Sequence, residues 1–227
     1  VPDRMRESMD NAANEQLGDW ESLVVGNARP GLRDPLRDLL LVDRLLARIV
    51  LTANEPALAQ IRLAWWREEL TREREGLGAP PDPLLASLLE SWPSERKVLA
   101  SLADGWETLL PEDEDSAFEA GGLAAARGEA FAALAVMSGC AHAASDAARH
   151  GQAWAHAELV LIGGSKESAL LSEGLRVAEE LPRLPAGLRP LAMIGGLSRR
   201  SLKRGGKPLF GDRLSPLAAL RLGIFGT

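Results

Sequence analysis

Apolar residues recur three and four positions apart along most of the chain, the spacing that gathers them on one face of a helix. The pattern is clearest in DPLRDLLLVDRLLARIVL, where Leu36, Leu39, Leu40, Leu46, Ala47 and Val50 form a single stripe. Asp34 before Pro35 reads as an N-cap followed by a first-turn proline. Pro56 opens a second predicted helix, PALAQIRLAWWREELTRER, which ends near the loop from Gly76 to Pro83. Shorter helices follow over about 83–91 and 94–110, punctuated by Pro93 and Pro111. From Leu123 the chain reads LAAARGEAFAALAVMSGCAHAASDAARHG, so rich in small residues that neighbouring helices can approach it closely. Gly151 reads as a break or C-cap before QAWAHAELVLIGG, and further helices are predicted at about 165–181, 187–204 and 214–223. There is no internal repeat, sustained heptad or flexible interdomain linker. The expected architecture is one all-α helical bundle over residues 1–227, with residues 1–30 a loosely packed N-terminal extension.

Composition strengthens the helical reading. Of the 227 residues, 46% are hydrophobic, enough for a sizeable core, and Ala and Leu dominate them. Strand-favouring aromatics are scarce, with four Phe, no Tyr and six Trp. The net charge of −6 leaves no global basic field for nucleic acid. A single cysteine, Cys140, allows no intrachain disulfide and suits a reducing compartment. No run reaches the roughly 20 apolar residues that span a bilayer. The N-terminal VPDRMRESMDNAANEQL has the character of neither a signal nor a transit peptide, so a cytoplasmic protein is expected.

LLLVDRLLARIVL followed by IRLAWWREEL resembles the squalene/phytoene synthase family, the head-to-head prenyl transferases. There, a helix carrying an aspartate-rich CR-x-x-DD-x-x-D element precedes one with a tryptophan–arginine–acid signature like Trp65-Trp66-Arg67-Glu68-Glu69. Looser matches extend the resemblance over most of the chain from Leu32. Ala130–Cys140 takes the place of a cavity-lining small-residue helix, GQAWAHAELV that of the helix bearing the second aspartate motif, and LRPLAMIGGLSRRSLKR that of the terminal helix. The resemblance implies an isoprenoid synthase fold, with Mg²⁺ held between two acidic motifs in the enzymes. This chain keeps Arg44 but places Ala47, Arg48 and Leu51 where the first motif has aspartates, and LIGGSKES replaces the second. Ala and Leu offer no ligand atoms and Arg repels a metal, so no catalytic or metal residue is assigned. The mitochondrial complex I assembly factors of squalene/phytoene synthase type depart from the family in the same direction. The resemblance thus implies a pseudo-enzyme that binds an isoprenoid or lipid, or serves as an assembly factor for a protein partner, with peripheral membrane contact also allowed. The alternatives are an active transferase on farnesyl or geranylgeranyl diphosphate, which would need Mg²⁺, and a purely structural helical module.

Candidate ligand-binding residues are Asp43, Arg44, Arg48, Arg62, Trp65, Trp66 and Glu69. Asp43 falls on the apolar stripe, where a carboxylate is costly unless paired. It is either a remnant of a polar cavity, with Arg62 a candidate partner, or part of a structural ion pair. Trp65 and Trp66 stand about 100° apart on their helix, so one is expected in the core while the other could line a cavity near Arg62. His142, Asp146 and His150 repeat every fourth residue on one predicted face, but about 12 Å separates the outer two, too far to share an ion. At most one pair of them could bind a metal, and only with a donor from another helix such as His156. Glu112–Asp115 reads as an acidic loop capping a helix. Arg199, Arg200, Lys203, Arg204 and Lys207 gather at a helix C-terminus, favourable to the dipole and open to anionic lipid heads or a diphosphate. Cys140 reads as a small core residue.

Overall fold

Prolines set where three of the helices begin, because a first-turn proline loses no hydrogen bond and arrives with helical φ. Pro30, Pro56 and Pro83 each occupy that position, and the Asp82 side chain caps the third by accepting from the Leu85 N–H at 3.0 Å. The computed structural model describes residues 16–74, 78–110, 120–163, 168–210 and 219–223; among these every regular element is helical, establishing an all-α protein. The helices are α1 (Asp19–Gly26), α2 (Pro30–Leu51), α3 (Pro56–Thr71), α4 (Pro83–Ser91), α5 (Arg96–Glu107), α6 (Ala120–Met137), α7 (Ala144–Gly163), α8 (Ser168–Glu179) and α9 (Arg189–Lys203). None of them is long and apolar enough to cross a membrane.

The small-residue helix α6 sits at the centre, packed against α2, α5 and α7. Its Leu123, Ala126, Ala130, Phe131, Leu134 and Ala135 are all buried, as expected of a helix covered on several sides. Gly139, at φ +77°, supplies the left-handed residue that turns the chain out of α6, and a 3₁₀ turn at Ala141–Ala143 leads into α7. Beyond α7, helices α8 and α9 pack on it and on each other, while α3 packs on α5 and α4 on α2. A polar junction fixes α4 to α2: the fully buried Asp38 accepts from the Ser87 and Ser91 hydroxyls, both at 2.7 Å. Beside it the Trp92 indole donates to the Pro35 carbonyl at 3.0 Å.

Three details depart from the expected boundaries. α2 begins at Pro30, not at Pro35, so Asp34 is no N-cap; it is exposed and pairs with Arg37 one turn on. Pro35 lies inside the helix, where it has no N–H to offer the Gly31 carbonyl. Gly151 does not end a helix but lies within α7. A Cβ there would stand 2.3 Å from the Arg127 carbonyl oxygen and 2.7 Å from its carbon, so the missing side chain lets the α6 and α7 backbones touch. The expected looseness of residues 1–30 does not hold from Asp19, since α1 buries Val24 and Val25. Residues 1–15 and Glu112–Asp115 lie outside the described residues.

Candidate functional site

A close backbone contact between α6 and α7 positions an unusual side chain. At the Gly151 crossing, α6 presents Arg127, whose side chain is fully buried. A guanidinium in such a place must be paired and hydrogen-bonded. Its Nε donates to Asp43 Oδ1 at 3.0 Å and its Nη2 to Asp43 Oδ2 at 2.6 Å, the bidentate fork that suits arginine to a carboxylate. The same Nη2 donates to Glu158 Oε2 at 2.5 Å. Asp43 comes from α2 and Glu158 from α7, so one arginine ties together two helices that flank its own.

Aromatic residues enclose the pair. The Arg127 guanidinium carbon lies 3.7 Å from the centroid of the Trp154 ring and 5.3 Å from that of Trp106, within cation–π range of both. The Trp106 indole N–H also donates to Asp43 Oδ1 at 3.1 Å. Phe131 packs on Trp154 with centroids 5.8 Å apart, and Trp20 meets it edge-on at 6.3 Å. Burial opposes the arginine charge, but the Asp43 and Glu158 carboxylates outweigh it and raise the pKa above the ordinary value. Burial also pushes the Glu158 carboxyl up; Arg127 opposes this, while the negative charges of Asp43 and Glu21 add to it.

On the outer side of this cluster lies a cleft of about 350 Å³, within the range of small-molecule sites. α2 contributes Leu40, Asp43, Arg44 and Ala47; α7 contributes Trp154, Glu158 and Leu161. Trp20 and Glu21 of α1 close one side, and Pro208, Leu209 and Phe210 after α9 close another. Glu21 is buried, with one carboxylate oxygen bonded to Arg44 Nη2 and the other, Oε2, without a partner among the described residues. Arg44 also donates to the Gln16 carbonyl at 3.2 Å.

The candidate residues therefore divide. Asp43, Arg44 and Ala47 come together at the cleft, but Asp43 pairs with Arg127 and not with Arg62. Arg48 and Arg62 are half-buried neighbours on α2 and α3; burial, then the charge of Arg48, lowers the Arg62 pKa. Leu51 is exposed. Trp66 is buried against the half-buried Trp65 in an edge-to-face pair at 5.2 Å, and neither lines the cleft. Glu69 is buried and pairs with Arg72 at 2.9 Å and with Arg74. His142 sits exposed in the 3₁₀ turn before α7, so it does not share a helical face with Asp146 and His150. His150 is buried with Nε2 2.9 Å from the Pro182 carbonyl, and His156 is buried elsewhere on α7; burial lowers both pKa values. Cys140 is half-buried against the core. Of the basic run, Arg199, Arg200 and Arg204 are half-buried while Lys203 and Lys207 are exposed.

A hard divalent cation such as Mg²⁺ needs carboxylate oxygens with lone pairs to give. Asp43 commits both oxygens to Arg127, with Trp106 sharing one of them, and Glu158 commits one to the same guanidinium. A divalent ion would need several carboxylate oxygens beside Arg127 to offset that charge, and most of those here are already taken. The residues present do not suit the metal that the family resemblance implies for its enzymes, and no group of three or more His, Cys, Asp or Glu among the described residues is arranged to hold one.

Sequence reasoning did not single out Arg127, Trp106, Trp154 or Glu21. The signal for Arg127 was present: the one basic residue inside a segment dominated by Ala, Gly and Leu must find an acid if buried, and Asp43 was the acid on an apolar stripe needing a partner. Nothing in the sequence gave the distance between them, 84 residues along the chain. No family model matches the chain, and neither a curated protein nor a solved structure matches it.

Proposed function

We propose that this chain is a non-catalytic ligand-binding protein on the frame of the head-to-head prenyl transferases, holding an isoprenoid or other lipid tail in the α2–α7 cleft. One observation carries the reading. Arg127 stands between Asp43 and Glu158, from the helices that the resemblance aligns with the two acidic motifs, and supplies a fixed internal cation where such an enzyme needs exchangeable ones. The side chains above it, Leu40, Ala47, Trp154, Leu161 and Leu209, are suited to an apolar chain. What remains of the resemblance, the WWREEL helix and the succession of helices, supports shared ancestry of frame and not of chemistry.

The test is to incubate the purified protein with farnesyl or geranylgeranyl diphosphate and Mg²⁺. The proposal expects no diphosphate release above the protein-free rate, together with saturable binding of farnesol. Protein-dependent diphosphate release would establish the transferase alternative, and absence of any farnesol binding would leave the cleft without its proposed occupant.

A further inference from the structure

Among the described residues the charges around the cleft do not cancel. Glu21, Asp43 and Glu158 bring three carboxylates, and Arg44 and Arg127 bring two guanidiniums. Arg127 is held in a fork by Asp43 and Arg44 is paired with Glu21, so the unmatched negative charge falls on Glu158. Its side chain is 26% exposed and lines the cleft, with only Oε2 engaged by Arg127. A second observation points the same way: the buried Glu21 also lines the cleft, and its Oε2 has no hydrogen-bond partner among the described residues. An unpartnered buried carboxylate oxygen is costly unless a donor arrives to meet it. Trp20 also lines the cleft beside these acids, and indole faces attract cations.

An anionic head is poorly served by the same groups. Among the described residues Arg44 is the one cation that lines the cleft, and it is already engaged by Glu21 and the Gln16 carbonyl. A phosphate or diphosphate would have to displace those bonds and approach Glu158 and Glu21 at close range.

We infer that the cleft selects an amphipathic organic cation, its ammonium head at Glu158 and Glu21 beside Trp20, its apolar tail along Leu40, Ala47, Leu161 and Leu209. The inference rests on the tail-binding reading above and adds the chemistry of the head. It separates this cleft from a prenyl diphosphate site by the sign of the ligand's charge. No bond is made or broken, and the ligand leaves as it entered.

One tail with three heads tests it: farnesylamine, farnesol and farnesyl phosphate, each titrated calorimetrically into the full chain at neutral pH and moderate salt. Farnesylamine is expected to bind about ten- to a hundredfold more tightly than farnesol, the scale of a hydrogen bond to a charged group, with farnesyl phosphate weakest. Glu158→Gln, which keeps an oxygen for Arg127, should erase most of the amine's advantage over farnesol. Phosphate binding as tight as or tighter than amine overturns the inference while leaving tail binding intact, as does an amine preference that survives in both Glu158→Gln and Glu21→Gln. If none of the three binds, the tail-binding reading falls with it. The wild-type ranking alone decides the matter should either variant fold poorly.

Discussion

In Arg127→Met the guanidinium is exchanged for an apolar side chain, and Asp43, 3% exposed, is left facing Glu158 without a counter-charge. Three hydrogen bonds to carboxylate oxygens disappear together. Removing one partner of a buried ion pair costs about 3–5 kcal/mol, chiefly because the survivor stays buried and unpaired. The lost stacking on Trp154 adds about 1–2 kcal/mol, of which a methionine sulfur against the ring recovers a good part. The net expectation is therefore about 3–5 kcal/mol, or roughly 1–1.7 M in the midpoint of urea unfolding at a slope near 3 kcal/mol per molar. The loss should also depend on pH in a defined sense. Burial already pushes the Glu158 carboxyl up, and Arg127 is the main opposing influence. Without it the folded variant holds its proton more strongly than the unfolded chain does, so the variant gains stability as pH falls. The deficit against wild type should accordingly be smaller at pH 5 than at pH 7. Adding Asp43→Asn to the variant should recover part of the loss, with a coupling energy of about 2 kcal/mol or more in the double-mutant cycle. A deficit under about 1 kcal/mol, or one indifferent to both pH and Asp43, would refute this account of the buried cluster.

Three further outcomes are expected. Gly151→Ala places a methyl group 2.3 Å from a backbone oxygen that cannot step aside, and should lower stability by about 1–3 kcal/mol despite alanine's better helix propensity; a neutral result in urea unfolding would remove the α6–α7 contact from the argument. His150 is neutral in the fold because burial lowers its pKa, with the Pro182 carbonyl opposing and the charges of Arg199, Asp146 and Arg149 modifying it. The unfolded chain then binds the extra proton, so stability falls as pH drops below about 6.5, and His150→Gln should flatten that part of the midpoint–pH curve; an unchanged curve would exclude the histidine as its source. Farnesylamine affinity should rise with pH until Glu158, facing Arg127, Asp43 and Glu21, has lost its raised-pKa proton, and calorimetry in buffers of different ionisation heat should register proton release on binding; affinity that falls over this range would contradict the assignment of the head group to Glu158.

The helical class and most element positions were legible because they depend on local signals. The stripe from Leu36 to Val50 lies on α2, and Leu36, Leu39, Leu40, Leu46, Ala47 and Val50 are all buried there. Pro56 and Pro83 marked helix starts correctly. Signals failed where one residue type serves two physical purposes. A proline starts a helix at Pro30 and is absorbed within the same helix at Pro35. A glycine ends a helix in many sequences, but Gly151 extends through one and brings a neighbour close. The candidate site was half legible: Asp43 on an apolar stripe announced a buried partner without naming it. Arg62, one helix away in sequence, was the nearest choice, whereas the partner lies on α6, whose position beside α2 is a property of packing. The WWREEL segment was legible as a signature, yet its tryptophans and Glu69 serve the junction around α3, apart from the cleft.

The central claim is that the cleft above Arg127 holds an apolar-tailed ligand without transforming it. Native mass spectrometry of the full chain, as purified and after incubation with farnesol, tests it most directly when run beside Ala47→Leu, whose added bulk reaches into the cleft. The account predicts a one-to-one complex of intact farnesol with the wild-type chain, markedly reduced in the variant. Only unliganded protein after incubation, or a complex equally abundant in the variant, would contradict it.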